Sequence, residues 1–240
     1  MNYFLGIDVG TGSARVGIFD ERGVLVGHAV KEIQIWKPKA HFVEQSSENI
    51  WQSICSCCHQ VLAETQIDVE TIKGIGFDAT CSLVVIDECG NPVTVDPDEE
   101  DAKNIIVWMD HRAIEETNLI NGFKEGYSAF DFVGGRISPE MQLPKLLWLK
   151  KYLPKSISKV QRFAISKLLA IASGISLKSS DMSSEDRRNC FSEYLRSLLG
   201  SSKVRPSLIH TLASWASNSS AFKKHTSLVA TTGHCSSFAK

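Results

Sequence analysis

The run Gly6-Ile7-Asp8-Val9-Gly10-Thr11-Gly12-Ser13 constrains this chain more than any other stretch. An apolar strand, Tyr3 to Ile7, meets an acidic residue, turns through two glycines flanking a threonine, and leaves on a second strand, Ala14 to Phe19. A turn at Asp20-Glu21-Arg22-Gly23 then leads to a third strand, Val24 to Val30. Glycines tolerate positive φ and let the backbone approach an anion closely. Successive amide N–H groups form a concavity for that anion, and the hydroxyls of Thr11 and Ser13 add donors. Asp8 is a hard oxygen ligand, placed to hold a metal ion or its waters beside a phosphate. An ordinary hairpin turn would use the same glycines. A dinucleotide-binding βαβ unit would not, because it requires a helix where this chain has a second strand.

The rest of the first 155 residues keeps an α/β pattern. Ser46 and Ser47 can cap a helix from about Glu48 to Glu64, whose stripe is Ile50, Trp51, Ile54, Cys58, Val61 and Leu62. Ile72 to Phe77 reads as a strand reaching Asp78-Ala79-Thr80-Cys81-Ser82, and Leu83 to Asp87 as another. Asp96 to Asp101 reads as a solvated acidic edge. Ile105 to Trp108 reads as a strand delivering Met109-Asp110-His111-Arg112, with a helix from about Ala113 to Asn121 behind it.

Near residue 156 the chain changes character. Residues 1–155 carry 14 Lys+Arg against 23 Asp+Glu, while residues 156–240 carry 12 against 4. Serine rises from 8 in the first part to 21 in the shorter second part. This divides the chain into a folded unit, 1–155, and a basic, Ser-rich tail, 156–240, with short helices at Ile165–Ile175 and Cys190–Leu199 and the remainder loop or disorder. The net charge of −1 points to neither nucleic acid nor a membrane surface. No apolar run is long enough to cross a bilayer, no signal peptide pattern opens the chain, and seven cysteines without paired Cys-x-x-Cys spacing fit reduced thiols in the cytoplasm.

Three segments stand at strand ends, where open α/β sheets place their ligands: Asp8 to Ser13, Asp78 to Ser82, and Trp108 to Arg112. The last two offer hydroxyls, a thiol, a carboxylate, an imidazole, a guanidinium and an aromatic wall, the mixture a polyol needs. Each also has a purely structural reading. Asp110 and Arg112 can pair to tie a helix start to a loop, His111 can be a structural histidine, Cys81 a small buried residue, and Trp108 a core residue.

The antiparallel meander with its Asp-x-Gly-Thr-Gly turn resembles the phosphate loop of the actin, hexokinase and Hsp70 superfamily. Together with Gly76-Phe77-Asp78-Ala79-Thr80-Cys81-Ser82-Leu83-Val84, Trp108-Met109-Asp110-His111-Arg112, Ser138 to Gln142 and Pro144-Lys145-Leu146-Leu147-Trp148-Leu149, it resembles the FGGY carbohydrate kinases. Within that family it is most similar to pentulose kinases acting on ribulose-type sugars. The resemblance implies a ribonuclease H-like first lobe with a mixed five-stranded sheet flanked by helices. It implies transfer of the γ-phosphate of ATP to a sugar hydroxyl with Mg²⁺. Asp8, Gly10, Thr11, Gly12, Ser13 and Arg15 would face the phosphate, and Asp8 the metal through water. Thr80, Cys81, Ser82, Trp108, Asp110, His111 and Arg112 would face the sugar.

The family's second lobe, which carries the adenosine pocket and the general-base aspartate, finds no counterpart in this sequence, and the match fades after about Leu153. The expectation is therefore a truncated chain that exposes an apolar interface and lacks its catalytic base. The rival readings are a non-catalytic binding fragment and an Hsp70-type nucleotide domain. The latter has no need of Thr80 to Val84 or Trp108 to Arg112.

Overall fold

The computed structural model describes residues 1–87, 91–98, 102–123, 128–160 and 162–164. The expected tail helices lie outside the described residues. Strands β1 (Tyr3–Val9), β2 (Ser13–Asp20) and β3 (Leu25–Glu32) form the antiparallel meander, and β5 (Ile72–Ala79) adds to β1 in parallel, giving the order β3-β2-β1-β5. Alternation along the strands sorts the side chains. Leu5, Ile7, Val9, Ala14, Val16 and Ile18 are buried on one face.

Helix α1 (Ser47–Thr65) covers that face with Ile50, Ile54, Cys57, Cys58, Val61 and Leu62. It begins where the sequence predicts, with the Ser46 hydroxyl accepting the Asn49 N–H at 3.3 Å, and ends on Gln66 in the left-handed region at φ 55°. Trp51 packs at the rim of this core, half-buried. Burial pushes the Cys57 and Cys58 thiols up, so neither is a reactive thiolate.

Helix and sheet approach closely at Gly27, where an added Cβ would stand 2.4 Å from Thr65 Cγ2 and 3.3 Å from Val61 Cγ2. Thr65 cannot swing away freely, because its hydroxyl donates to Val61 O at 2.7 Å. Gly27→Ala is therefore expected to destabilise the fold by about 1–3 kcal/mol, read by urea denaturation. An unchanged midpoint would mean that α1 slides to accommodate the methyl.

On the opposite face the Phe19 ring lies over Gly6 and Gly17, 3.1 Å from where either Cβ would be. Phe4, Leu25 and Val30 on that face are 44%, 49% and 53% exposed.

The single five-stranded sheet anticipated from the sequence is divided. Strand β6 (Leu83–Ile86) does not extend the first sheet beside β5. It pairs antiparallel with β7 (Ile105–Ile106) and β8 (Arg162–Ala164), while β4 (Glu44–Gln45) closes the order β4-β7-β6-β8. All four residues of β6 are buried because the small sheet separates two cores. Val84 and Ile86 face the α1 core; Leu83 and Val85 face a second core with Val95, Ile106, Trp148 and Leu149. This second core rests against α3 (Gln142–Tyr152), beside α2 (Ile114–Gly122) and α4 (Pro154–Lys159). Helix α4 crosses residue 155 and strand β8 lies beyond it, so the described fold runs into the compositionally distinct segment.

Two local expectations are corrected. Strand β7 stops at Ile106 because the Asp110 N–H bonds Val107 O at 3.0 Å and turns the chain at Trp108. Asp96 is not on a solvated edge: it is fully buried and paired with Lys103 at 2.8 Å.

Candidate functional site

The parallel strands β1 and β5 end side by side, and the loops after them are joined by the Thr80 N–H donating to Val9 O at 3.1 Å. Their register places Asp8 opposite Arg15 on β2 and opposite Asp78 on β5, so two carboxylates and one guanidinium share one edge of the sheet. Arg15 Nη1 donates to Asp8 Oδ2 at 2.6 Å, both side chains being about half exposed. Asp78 accepts the Ala79 N–H at 2.8 Å and is also exposed.

Between β1 and β2 the Gly10 N–H donates to Ser13 O at 3.0 Å, and the Ile33 N–H to Gly12 O at 3.0 Å. Neither Gly10 nor Gly12 takes a left-handed φ, so the turn does not need glycine for that reason. What Gly12 provides is room: a Cβ there would meet no atom within 4 Å.

The third segment folds over this loop. Trp108 Nε1 donates to Thr11 Oγ1 at 2.9 Å, and its backbone N–H donates to the Ser82 hydroxyl at 3.2 Å. Gln45 donates through Nε2 to Thr11 O. Gln142, at the start of α3, donates to Cys81 O at 2.9 Å. The three segments singled out in the sequence therefore meet at one mouth, bound to one another by these contacts.

Within that mouth the expected residues divide. Thr11, Ser13, Thr80, Trp108 and His111 are half-buried, and Gly12 and Cys81 are exposed. The Thr80 hydroxyl has no hydrogen-bond partner among the described residues, nor has Gln142 Oε1. His111 Nε2 lies 3.2 Å from Glu140 Oε1.

Ser82, Asp110 and Arg112, by contrast, are turned inward. Ser82 is fully buried and spent on Trp108. Arg112 and Asp110 have wholly buried side chains, which corrects the expectation that they line the sugar side. Arg112 donates through Nε and Nη2 to Asp110, through Nη2 to Glu44 Oε1 at 2.8 Å and through Nη1 to Val95 O at 2.9 Å. Its guanidinium lies against both Phe42 and Trp148, 4.1 and 4.9 Å from their ring centroids, the two rings themselves meeting edge to face at 5.6 Å. Asp110 also accepts the Val43 N–H at 2.6 Å. This cluster braces the turn from behind. Burial pushes Glu44 up to about 7 despite Arg112, and Glu44 Oε2 has no partner among the described residues.

Sequence reasoning missed four contributors. Gln45, Gln142, Glu44 and Lys145 all hold the mouth in place. Lys145 is fully buried, its ammonium donating to Val107 O, Trp108 O and Glu140 O at 3.0, 2.8 and 3.1 Å. Its place in the Pro144–Leu149 run was the one available signal. Asp78 was read as part of a motif and not as a neighbour of Asp8, which only the parallel register reveals.

No group of three or more His, Cys, Asp and Glu suited to a metal occurs among the described residues, and none of their helices is long and apolar enough to cross a membrane.

A parallel-antiparallel sheet with an acidic Gly-Thr-Gly turn, flanked by a polar and aromatic wall at the same strand ends, is the architecture of the sugar-kinase fold. Residues 3–184 match the N-terminal domain of the FGGY family of carbohydrate kinases, and the chain belongs to that family. It is 46% identical over 151 residues to an FGGY carbohydrate kinase domain-containing protein of Homo sapiens, covering 63% of this chain and 27% of the relative. To a D-ribulokinase of Saccharomyces cerevisiae it is 43% identical over 157 residues, covering 65% and 22%. The chain thus spans about a quarter of the length of the curated relatives it matches. The fold is shared with a ligand-bound xylulose kinase of Lactobacillus acidophilus (TM-score 0.55, 23% identity, 68% of this chain and 31% of that one). It is shared also with the ADP complex of Plasmodium falciparum glycerol kinase (TM-score 0.56, 19% identity, 72% and 34%).

Proposed function

We propose that this chain forms the sugar- and phosphate-facing lobe of a cytoplasmic kinase that moves the γ-phosphoryl group of ATP to a hydroxyl of a ketopentose such as D-ribulose. The observation that carries this reading is the mutual anchoring of the three loops: Thr80 to Val9, and Trp108 to Thr11. It puts hydroxyl and amide donors for an anion beside a wall with an aromatic face and an unpartnered hydroxyl. Phosphoryl transfer asks little covalent chemistry of a protein; it asks for positioning and charge neutralisation. Thr11, Ser13 and the turn's amides would hold the phosphoryl oxygens, with Arg15 adding positive charge at the edge. Thr80, Cys81, Trp108 and His111 would order the sugar's hydroxyls against it.

Mg²⁺ fits the donor set. Asp8 and Asp78 are exposed hard-oxygen ligands on adjacent strands, and the single Arg15 pair leaves Asp8 with a second oxygen. Two carboxylates are too few for a closed protein cage, which suits an ion that keeps its waters and shares phosphate oxygens. Bound there, it would neutralise charge on the phosphates.

The second reading is a module that binds the sugar at the same site without turning it over. Purified chain should bind D-ribulose by calorimetry, and Thr80→Val should weaken that binding about fivefold, the loss of one hydrogen bond. ADP release from ATP in the presence of D-ribulose then separates kinase from binding module. Absence of any D-ribulose binding overturns both.

A further inference from the structure

We infer that Trp108 is a positioning residue for the phosphate loop, its indole N–H fixing the Thr11 hydroxyl as a hydrogen-bond donor towards the bound phosphoryl group. This rests on the reading of Asp8–Ser13 as a phosphate loop. It assigns to Trp108 a task distinct from that of an aromatic wall.

An indole N–H can only donate. At 2.9 Å from Trp108 Nε1, Thr11 Oγ1 must therefore be the acceptor, and its own proton has to leave along another direction. A threonine hydroxyl is otherwise a free rotor that can present either a proton or a lone pair. Facing an anion, the lone-pair orientation is repulsive and the proton orientation attractive. The indole occupies one of the two lone pairs before the ligand arrives and so narrows the rotor towards presenting its proton, which is preorganisation.

Two further contacts keep Thr11 from evading the constraint. Gln45, whose side chain is wholly buried, holds the Thr11 carbonyl from the second sheet. The Ile33 N–H holds the carbonyl of Gly12 at 3.0 Å. Beyond them the turn opens on the space left by Gly12. The backbone that carries the indole is held on both sides, its N–H by Ser82 and its carbonyl by Lys145. Among the described residues the Thr11 hydroxyl donates to nothing. Through its indole N–H and its backbone N–H the single residue Trp108 thus ties the phosphate loop to the Thr80–Ser82 segment.

The test separates the hydrogen bond from the stacking. With ¹⁵N-labelled chain, solvent exchange of the Trp108 indole N–H should be slow. It should become fast in Thr11→Val and stay slow in Thr11→Ser. Titration with inorganic phosphate should show about tenfold weaker binding for Trp108→Phe, which keeps an aromatic face but has no N–H. The double variant Trp108→Phe/Thr11→Val should bind no more weakly than Thr11→Val alone, because both remove the same interaction. Wild-type phosphate affinity in folded Trp108→Phe, additive losses, or an indole that exchanges at the free rate would each overturn the inference. Should Trp108→Phe fail to fold, Thr11→Val interrogates the same bond from the acceptor side. A wild-type chain that binds no phosphate while its indole stays protected overturns the phosphate-loop reading and the inference with it. Failure in the variants alone overturns only the inference.

Discussion

Replacing Arg112 by Met is expected to destabilise the fold by about 3–5 kcal/mol, the cost of leaving buried carboxylates without their counter-charge. Arg112 pairs with both Asp110 and Glu44, and all three side chains are completely buried. Met has a stem of similar length and would retain some packing against Phe42 and Trp148, so the loss isolates the charge. Glu44 is already pushed up to about 7 by burial, and without Arg112 it would go higher and remain protonated at neutral pH. Asp110 would keep the backbone N–H groups of Val43 and of residue 112 as partners but lose the guanidinium. Lys at this position should not restore stability, because one ammonium cannot reproduce contacts from Nε, Nη1 and Nη2 at once. Adding Asp110→Asn and Glu44→Gln to Arg112→Met should recover part of the loss. Equilibrium urea denaturation reads all of these. A single Met variant within 1 kcal/mol of the parent would show that water reaches the cluster and that it is no closed brace.

That cluster also marks where the sequence stopped being legible. The meander, the capped helix and the apolar strands follow from period and turn chemistry, which are local. Leu5, Ile7 and Val9 alternate as one face of a strand must, and Ser46 caps α1 as its position before an apolar stripe requires. The three loops were legible because glycine, aspartate and hydroxyl residues stood at strand ends. The direction in which Asp110 and Arg112 point was not. It depends on Glu44 and Val43, more than sixty residues earlier in the chain. Asp96 was misread for the same reason, since an acidic stretch looks solvated until Lys103 closes over it. Charged residues buried in pairs carry no periodic signal, and only the fold says which of them meet. The two-residue strands β4 and β7 are equally silent, yet β4 supplies both Glu44 and Gln45 to the site.

The stability advantage of the parent over Lys145→Met should grow by about 2–3 kcal/mol between pH 8 and pH 10.5. Burial lowers Lys145 from the ordinary 10.5 to about 8, against the attraction of Asp110. Between those two values the unfolded chain holds a proton on this amine and the folded chain does not. The unfolded state therefore binds more protons, and stability contributed by this residue rises with pH across the window. Below pH 8 both states are protonated and the fold bears the full cost of a buried ammonium. The three carbonyls of Val107, Trp108 and Glu140 offset that cost, and they explain why a cation is tolerated in this position. Methionine has neither the titration nor the donors, so its profile should lack the rise while those carbonyls lose their partner. Denaturation of both proteins at pH 7.5 and pH 10 makes the comparison, other titrating groups cancelling in the difference. Parallel profiles would mean that Lys145 reaches solvent. Because the same ammonium holds the Trp108 carbonyl, the variant should also loosen the indole from Thr11. A stability defect in α3 would then be felt at the phosphate loop.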